Sequence, residues 1–286
     1  MSARPAQLDT PRQRNDLYIL KLRVRLRFSP VHRNRNATFR DTHMTIDNPA
    51  HRLWLLLSEA RTIEITKNCK QAWAQLFNVK ATSPDVFERL GKVMQLPSQI
   101  IAALKEEHED ELTTAHYWQT QLDTAFSRQN LAETWQSFIG NIDNHSLNYL
   151  KGHAKILNGG KQLKALELDT LEQARKDLSE LLGEVLKDDS IPVSIRQALA
   201  RNLRAIIISL EEYKLTGSAG VFDSIAILYG QALFDVPYRQ SIKADTPFGE
   251  KLSSILSGLA NSMTVLLGTA QLTNLSESIL LLAQKT

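Results

Sequence analysis

Apolar residues recur at three- and four-residue steps along most of the chain from Met44 onward, which is the spacing of one face of an α-helix. Residues that start and stop helices divide this pattern into segments. Asp47 or Asn48 stands as an N-cap before Pro49, and Gly217 is placed to end a later helix. Sustained strand alternation is absent after Met44, so the sequence predicts an all-α fold.

The Gly159-Gly160 pair is the best candidate boundary within the body, because two glycines cannot continue a helix cheaply. We therefore expect two helical bundles, an N-terminal domain over residues 44–159 and a C-terminal domain over residues 160–286. Two apolar stripes joined by a turn at Pro192 predict an antiparallel helical hairpin in the second domain.

Local signals within the first bundle predict two further features. Pro97 should close or redirect the helix that begins near Pro84, because proline removes a backbone donor from a helix. Asn130 and Glu133 form a capping-box pattern, which predicts a helix starting at that point.

The first 43 residues differ from the rest in both period and charge. They carry ten Arg and Lys against three Asp, whereas the remainder carries 24 basic and 28 acidic residues. Within residues 17–28, apolar and basic side chains alternate from Leu20 to Phe28, which is a strand period. One interpretation is a disordered tail or translated upstream sequence, with the natural start at Met44. The others are a basic arm for nucleic acid or an anionic membrane, and a transit peptide. Nucleic-acid binding is expected only if this tail is native.

The sequence contains no recognisable catalytic, metal or nucleotide motif after Met44. His108-Glu109-Asp110-Glu111-Leu112 begins like a zinc-protease motif, but Leu112 stands where the second histidine is needed. We expect no cofactor and no bound metal, and we assign His108, His145 and His153 to surface or helix N-terminal positions.

Core residues can be predicted from the same helical stripes. Cys69 is the only cysteine, which excludes an intramolecular disulfide and fits a reducing cytoplasm. It lies on an apolar stripe, so we expect a buried hydrophobe and not a nucleophile. The four tryptophans also fall on apolar faces and are predicted to pack in the core: Trp54, Trp73, Trp118 and Trp135.

Residues 252–276 contain no charged side chain, although charged residues make up 23% of the chain. As a helix they would span about 37 Å, which is long enough for a bilayer core of about 30 Å. Eleven of the twenty-five are Ser, Thr, Asn or Gln, so independent insertion is unfavourable. We expect an amphipathic helix that packs on the bundle or on a partner. Its candidate interaction or membrane face consists of Leu252, Leu256, Leu259, Met263, Leu266 and Leu267.

Residues 199–217 end in Glu211-Glu212-Tyr213-Lys214-Leu215-Thr216-Gly217 and resemble a pattern in a group of uncharacterised all-helical bacterial proteins. Those proteins often begin with a short Trp-containing helix pair, which Trp54 and Trp73 match loosely. The resemblance implies a bacterial cytoplasmic origin and no named activity.

Three functions remain open from the sequence. The first is a non-enzymatic helical module for protein–protein interaction or regulation, with a protein partner or self-association. The second is a membrane-acting effector that uses the C-terminal helices over residues 252–284. The third is a helical enzyme whose catalytic groups are scattered along the chain.

Overall fold

The computed structural model describes residues 47–159, 166–243 and 245–267. Within these ranges the chain is all-α, as predicted, and its only strand-like pairing is an isolated antiparallel bridge between Asn68 and Thr134. The basic tail over residues 1–43 and the part of the predicted C-terminal helices after residue 267 lie outside the described ranges. The helices are α1 Pro49–Ala60, α2 Cys69–Leu76, α3 Asp85–Glu107, α4 Leu112–Arg128, α5 Gln136–Ile139, α6 Asn144–Ile156, α7 Leu168–Lys187, α8 Val193–Glu211, α9 Tyr213–Phe234, α10 Val236–Ser241 and α11 Pro247–Leu267.

Helices α1 to α6 enclose an N-terminal core that is rich in aromatic rings. Trp73, Trp118 and Trp135 are fully buried, and Trp54 packs partly buried against the same core. The Trp73 ring meets Trp135 edge-on, with ring centroids 5.0 Å apart. Cys69 is also fully buried. These positions confirm the predicted burial of Cys69 and the predicted packing of the tryptophans in the core.

A second core, largely aliphatic, lies between α7, α8, α9, α10 and α11. The predicted hairpin is confirmed: α7 and α8 are joined by residues 188–192 and pack along each other. The described residues form one compact unit that contains both cores. Leu215, at the start of α9, belongs to the N-terminal core. The division into separate domains near residue 159 stays a prediction.

Pro97 does not close its helix, so the first of the two expected outcomes is wrong, whereas redirection of the helix stays a prediction. Helix α3 continues through this residue to Glu107. Pro97 is itself buried, and the flanking Leu96 and Ile100 lie in the N-terminal core. Burial on this face offsets the loss of one backbone hydrogen bond, and the helix is therefore retained.

The capping-box prediction at Asn130 is also wrong. The Asn130 side chain accepts a hydrogen bond from the Ala132 amide at 3.0 Å and so closes a tight turn. The backbone beyond the turn pairs with the segment before α2, because the Cys69 amide donates to Glu133 O at 2.8 Å and the Trp135 amide donates to Lys67 O at 2.7 Å. These bonds compete with helix formation, and only the short α5 follows.

Candidate interaction surface

Half of the predicted interaction or membrane face lies in the core. The residues buried in the C-terminal core are Leu252, Leu256 and Leu259. Helix α11, which carries them, packs along α7. The side chains of the other three lie outside the described part of the chain, although the backbone of α11 includes them: Met263, Leu266 and Leu267. Whether this face takes part in an interaction stays a prediction.

A different apolar surface is exposed to solvent on α8, α9 and α10. We call it the α9–α10 surface, and it consists of Ile208, Ile227, Leu233, Phe234 and Val236. Phe234 is 90% exposed and Ile227 is 62% exposed. In the N-terminal half, exposed apolar side chains are spread over several elements, and Lys70 Nζ lies 4.9 Å from the ring centroid of one of them, Phe87. Leu186 on α7 and Val193 on α8 are also exposed, but Phe234 is the most exposed of the large apolar side chains in the described ranges, and Ile227, Leu233 and Phe234 lie within eight residues of α9.

Helix α9 is apolar on both of its sides. One side is buried in the C-terminal core through Val221, Ile225 and Leu228, while Ile227 and Phe234 on the other side are exposed. Among the twenty residues 215–234 only Asp223 is charged. A helix without a polar side normally has both sides covered. This scarcity of charge is the signal by which the sequence could have identified the surface.

A buried polar cluster around Asp47 fixes the start of α9. Asp47 accepts hydrogen bonds from Arg52 at 2.6 Å, from the Ser218 amide at 2.9 Å and from the Tyr213 hydroxyl at 3.2 Å. The predicted N-cap role belongs to the neighbouring Asn48, which accepts from the His51 amide at 2.9 Å. Asp47 therefore ties the beginning of α1 to the beginning of α9.

Gly217 makes the close approach at this cluster possible. Its φ of 66° and ψ of −165° are non-helical and lie in a region that essentially only glycine adopts. A Cβ at this position would lie 2.3 Å from Arg52 Nη1 and 2.4 Å from Asp47 Oδ1. The predicted helix end at Gly217 is confirmed in its backbone conformation, and the chain bends there before α9 continues.

A second cluster holds the end of α8 against α3. Glu212 is 5% exposed, and its carboxylate lies 3.3 Å from Arg89 Nε and 2.5 Å from Lys92 Nζ. Arg89 also donates to Phe77 O at 2.6 Å. The segment between α8 and α9 is thus anchored on both sides by charged groups of the N-terminal half.

The titration of these groups reflects their burial. Burial lowers the pKa of Lys92, but hydrogen bonds and attraction from Glu212 and Glu88 together outweigh it, so the pKa lies above its ordinary value. Burial and the neighbouring Asp47 carboxylate raise the pKa of Tyr213 well above that of a free phenol. At neutral pH Lys92 is charged and Tyr213 is a neutral donor, which is the state that the hydrogen bonds require.

His153 lies in the N-terminal core, so the prediction of a surface or N-terminal position is wrong for this residue. Its Nδ1 accepts from Trp118 Nε1 at 3.0 Å, and its Nε2 lies 3.5 Å from Glu111 Oε2. Burial lowers the pKa of His153, and attraction from Glu111 only partly opposes this effect. His145, by contrast, is exposed near the ring of Tyr117.

Within the described ranges, no three His, Cys, Asp or Glu side chains converge in a group that could hold a metal ion. No helix formed by those residues is both long and apolar enough to cross a membrane. Comparison with protein-family models, with curated proteins and with solved structures finds no match for the chain.

Proposed function

We propose that this chain is a non-enzymatic helical module that binds another protein through the α9–α10 surface. The concentration of exposed apolar side chains on this surface carries the proposal. Contiguous apolar patches on soluble proteins mark interaction sites, and aromatic anchors dominate the energetics of such sites. Covering a side chain of the size of Phe234 or Ile227 contributes about 1.5–3 kcal/mol each.

The anchoring of α9 supports the same proposal. The buried side of the helix packs in the C-terminal core, and its start is tied to Asp47 through Ser218 and Tyr213. A surface carried by a helix that is already ordered loses little conformational entropy on binding. The α9–α10 surface therefore suits a regulatory or scaffolding role in which the partner meets a rigid helix.

The proposal can be tested by affinity capture from cells that express the protein, with quantitative mass spectrometry of the bound partners. Ile227→Asp places a charge on the surface and should remove the partners that the wild type captures. Ile65→Asp is the matched control, because Ile65 is 53% exposed but lies in the N-terminal half. Identical capture by the wild type and the Ile227→Asp variant would contradict the proposal.

The membrane-acting alternative requires a larger rearrangement. Leu252, Leu256 and Leu259 are buried in the C-terminal core, so α11 would have to leave that core before this face could meet a bilayer. Each uncovered leucine would lose about 1.5–3 kcal/mol of burial free energy. The interaction module needs no such change.

A further inference from the structure

The exposed side of α9 has a small end and a bulky end. At 3.6 residues per turn, six residues lie on the side of the helix opposite the core: Ala219, Asp223, Ala226, Ile227, Gly230 and Phe234. The alanines Ala219 and Ala226 lie toward the N-terminal end of this stripe, whereas the bulky Ile227 and Phe234 lie toward its C-terminal end. The stripe is about 24 Å long.

Because the two ends differ in size, the stripe is complementary to the same stripe of a second copy that runs in the opposite direction. If a second stripe runs antiparallel about a point between residues 226 and 227, Phe234 of one copy lies level with Ala219 of the other. At the centre, Ile227 lies level with Ala226. The two bulky residues of the stripe, Ile227 and Phe234, thus each lie level with an alanine, and two helices can pack closely by this alternation. A two-fold symmetric contact uses one surface twice, so it needs this kind of self-complementarity.

The charged residues on and beside the stripe are also complementary in this antiparallel arrangement. In the reversed register Asp223 of one copy lies level with Gly230 of the other, where a Cβ would meet no atom within 4 Å. Arg201 on α8 is exposed at that level, since its Nη2 lies 3.5 Å from Gln231 Oε1. The only charged residue of the stripe would thus be within reach of a guanidinium of the second copy.

From this self-complementarity we propose that the partner of the α9–α10 surface is a second copy of this chain. The two copies pair α9 against α9, antiparallel, about a two-fold axis between Ala226 and Ile227, with Asp223 of each copy facing Arg201 of the other. This inference rests on the proposed function, because it names the occupant of the same surface.

The first test is a cysteine crosslink in the full-length chain. Ala226→Cys places a thiol beside the two-fold axis, and mild oxidation should link two copies covalently. Ala102→Cys is the matched control, because Ala102 is an exposed alanine on α3, away from the α9–α10 surface. The native Cys69 is buried, and burial raises its pKa, so it should not react. Equal crosslinking of the two variants would overturn the pairing.

The second test is a charge exchange followed by analytical ultracentrifugation. Asp223→Arg and Arg201→Asp should each weaken dimerisation by at least about tenfold, because each creates two like-charge contacts across the axis. The double variant restores opposite charges and should recover most of the wild-type dimer. Failure of the double variant to recover it would overturn the assigned register.

Failure of this inference is distinguishable from failure of the proposed function. A wild-type chain that stays monomeric at every protein concentration would overturn self-pairing. If Ile227→Asp nevertheless removes captured proteins of another sequence, the surface still binds a partner and the proposed function stands. If the wild type is monomeric and Ile227→Asp captures the same proteins, both proposals fail.

Discussion

The two cores of this chain are built from different kinds of residue. All four tryptophans and all seven histidines precede residue 160, and Trp73, Trp118 and Trp135 are fully buried in the N-terminal core. The C-terminal core is mainly aliphatic, and its buried polar contacts centre on Asn202, which donates to Tyr238 Oη at 2.8 Å and to Gln231 Oε1 at 2.9 Å. The two halves therefore hold their helices together by different means.

This difference extends to the surface. In the N-terminal half, α3 also buries one side in the core and exposes Phe87 and Met94 on another, at 53% and 47%. In the C-terminal half, one side of α9 packs in the core and the other side exposes Ile227 and Phe234. The apolar side chains exposed on α9 are thus more fully exposed, at 62% and 90%, than those on α3.

The largest expected effect tests whether the two cores depend on each other. Leu259→Asp should lower the free energy of unfolding by about 4 kcal/mol or more, because Leu259 is 1% exposed and a carboxylate there would have no partner. Urea unfolding followed by circular dichroism measures this loss. Leu186→Asp is the matched control: Leu186 lies on α7 and is exposed, so the cost should stay below about 1 kcal/mol.

Tryptophan fluorescence sharpens that comparison, because every tryptophan lies in the N-terminal half. If residues 44–159 form an independent domain, the fluorescence of the Leu259→Asp variant stays native while circular dichroism loses the signal of the C-terminal helices. A simultaneous loss of both signals would show one cooperative unit and contradict the predicted domain division.

A smaller effect is expected at the junction between the cores. Gly217→Ala should cost roughly 3 kcal/mol, because the backbone conformation disfavours alanine and the new Cβ would overlap Arg52 and Asp47. Gly183→Ala is the control, since a Cβ on this helical glycine meets nothing within 4 Å and should stabilise by about 0.5–1 kcal/mol. Thermal unfolding of both variants gives the comparison, and equal shifts would count against the strained junction.

Much of this fold could be predicted from local chemistry. Asn48 before Pro49 and Pro247 at the start of α11 are placed as helix starts are expected to be, and Gly217 adopts the positive φ that its position suggested. The misses at Pro97 and Asn130 have a tertiary cause. Burial keeps α3 intact at the proline, and pairing with the segment before α2 replaces the helix predicted after Asn130.

The candidate surface was harder to predict, because composition does not show which side of a helix is covered. Residues 252–276 lack charge but keep a polar side, and the described leucines of α11 are buried. Residues 215–234 carry only Asp223 and have no polar side, which was the stronger signal. The contacts that anchor α9, such as Asp47 with Ser218, join residues 171 positions apart and follow no local pattern.

The smallest expected effect is a pH dependence confined to the N-terminal core. The pKa values of His51 and His153 are lowered by burial, so both favour the neutral form in the folded state. In the unfolded state the pKa of each histidine is about 6.5. A histidine whose pKa is lower in the folded state contributes stability that is fully present above about pH 6.5, and this contribution is lost as the pH falls through the pKa of the folded state. Each histidine can contribute a slope of at most about 1.4 kcal/mol per pH unit.

Urea unfolding followed by tryptophan fluorescence between pH 7.5 and about pH 5 should therefore show stability falling toward acid. His153→Asn removes the titrating ring but can keep an acceptor for Trp118 Nε1, so it should make the slope shallower. His116→Asn is the control, because His116 is exposed, and its slope should match that of the wild type. If His153→Asn leaves the slope unchanged, the acid sensitivity does not come from the buried Trp118–His153 contact, and the N-terminal core loses this distinction from the histidine-free C-terminal half.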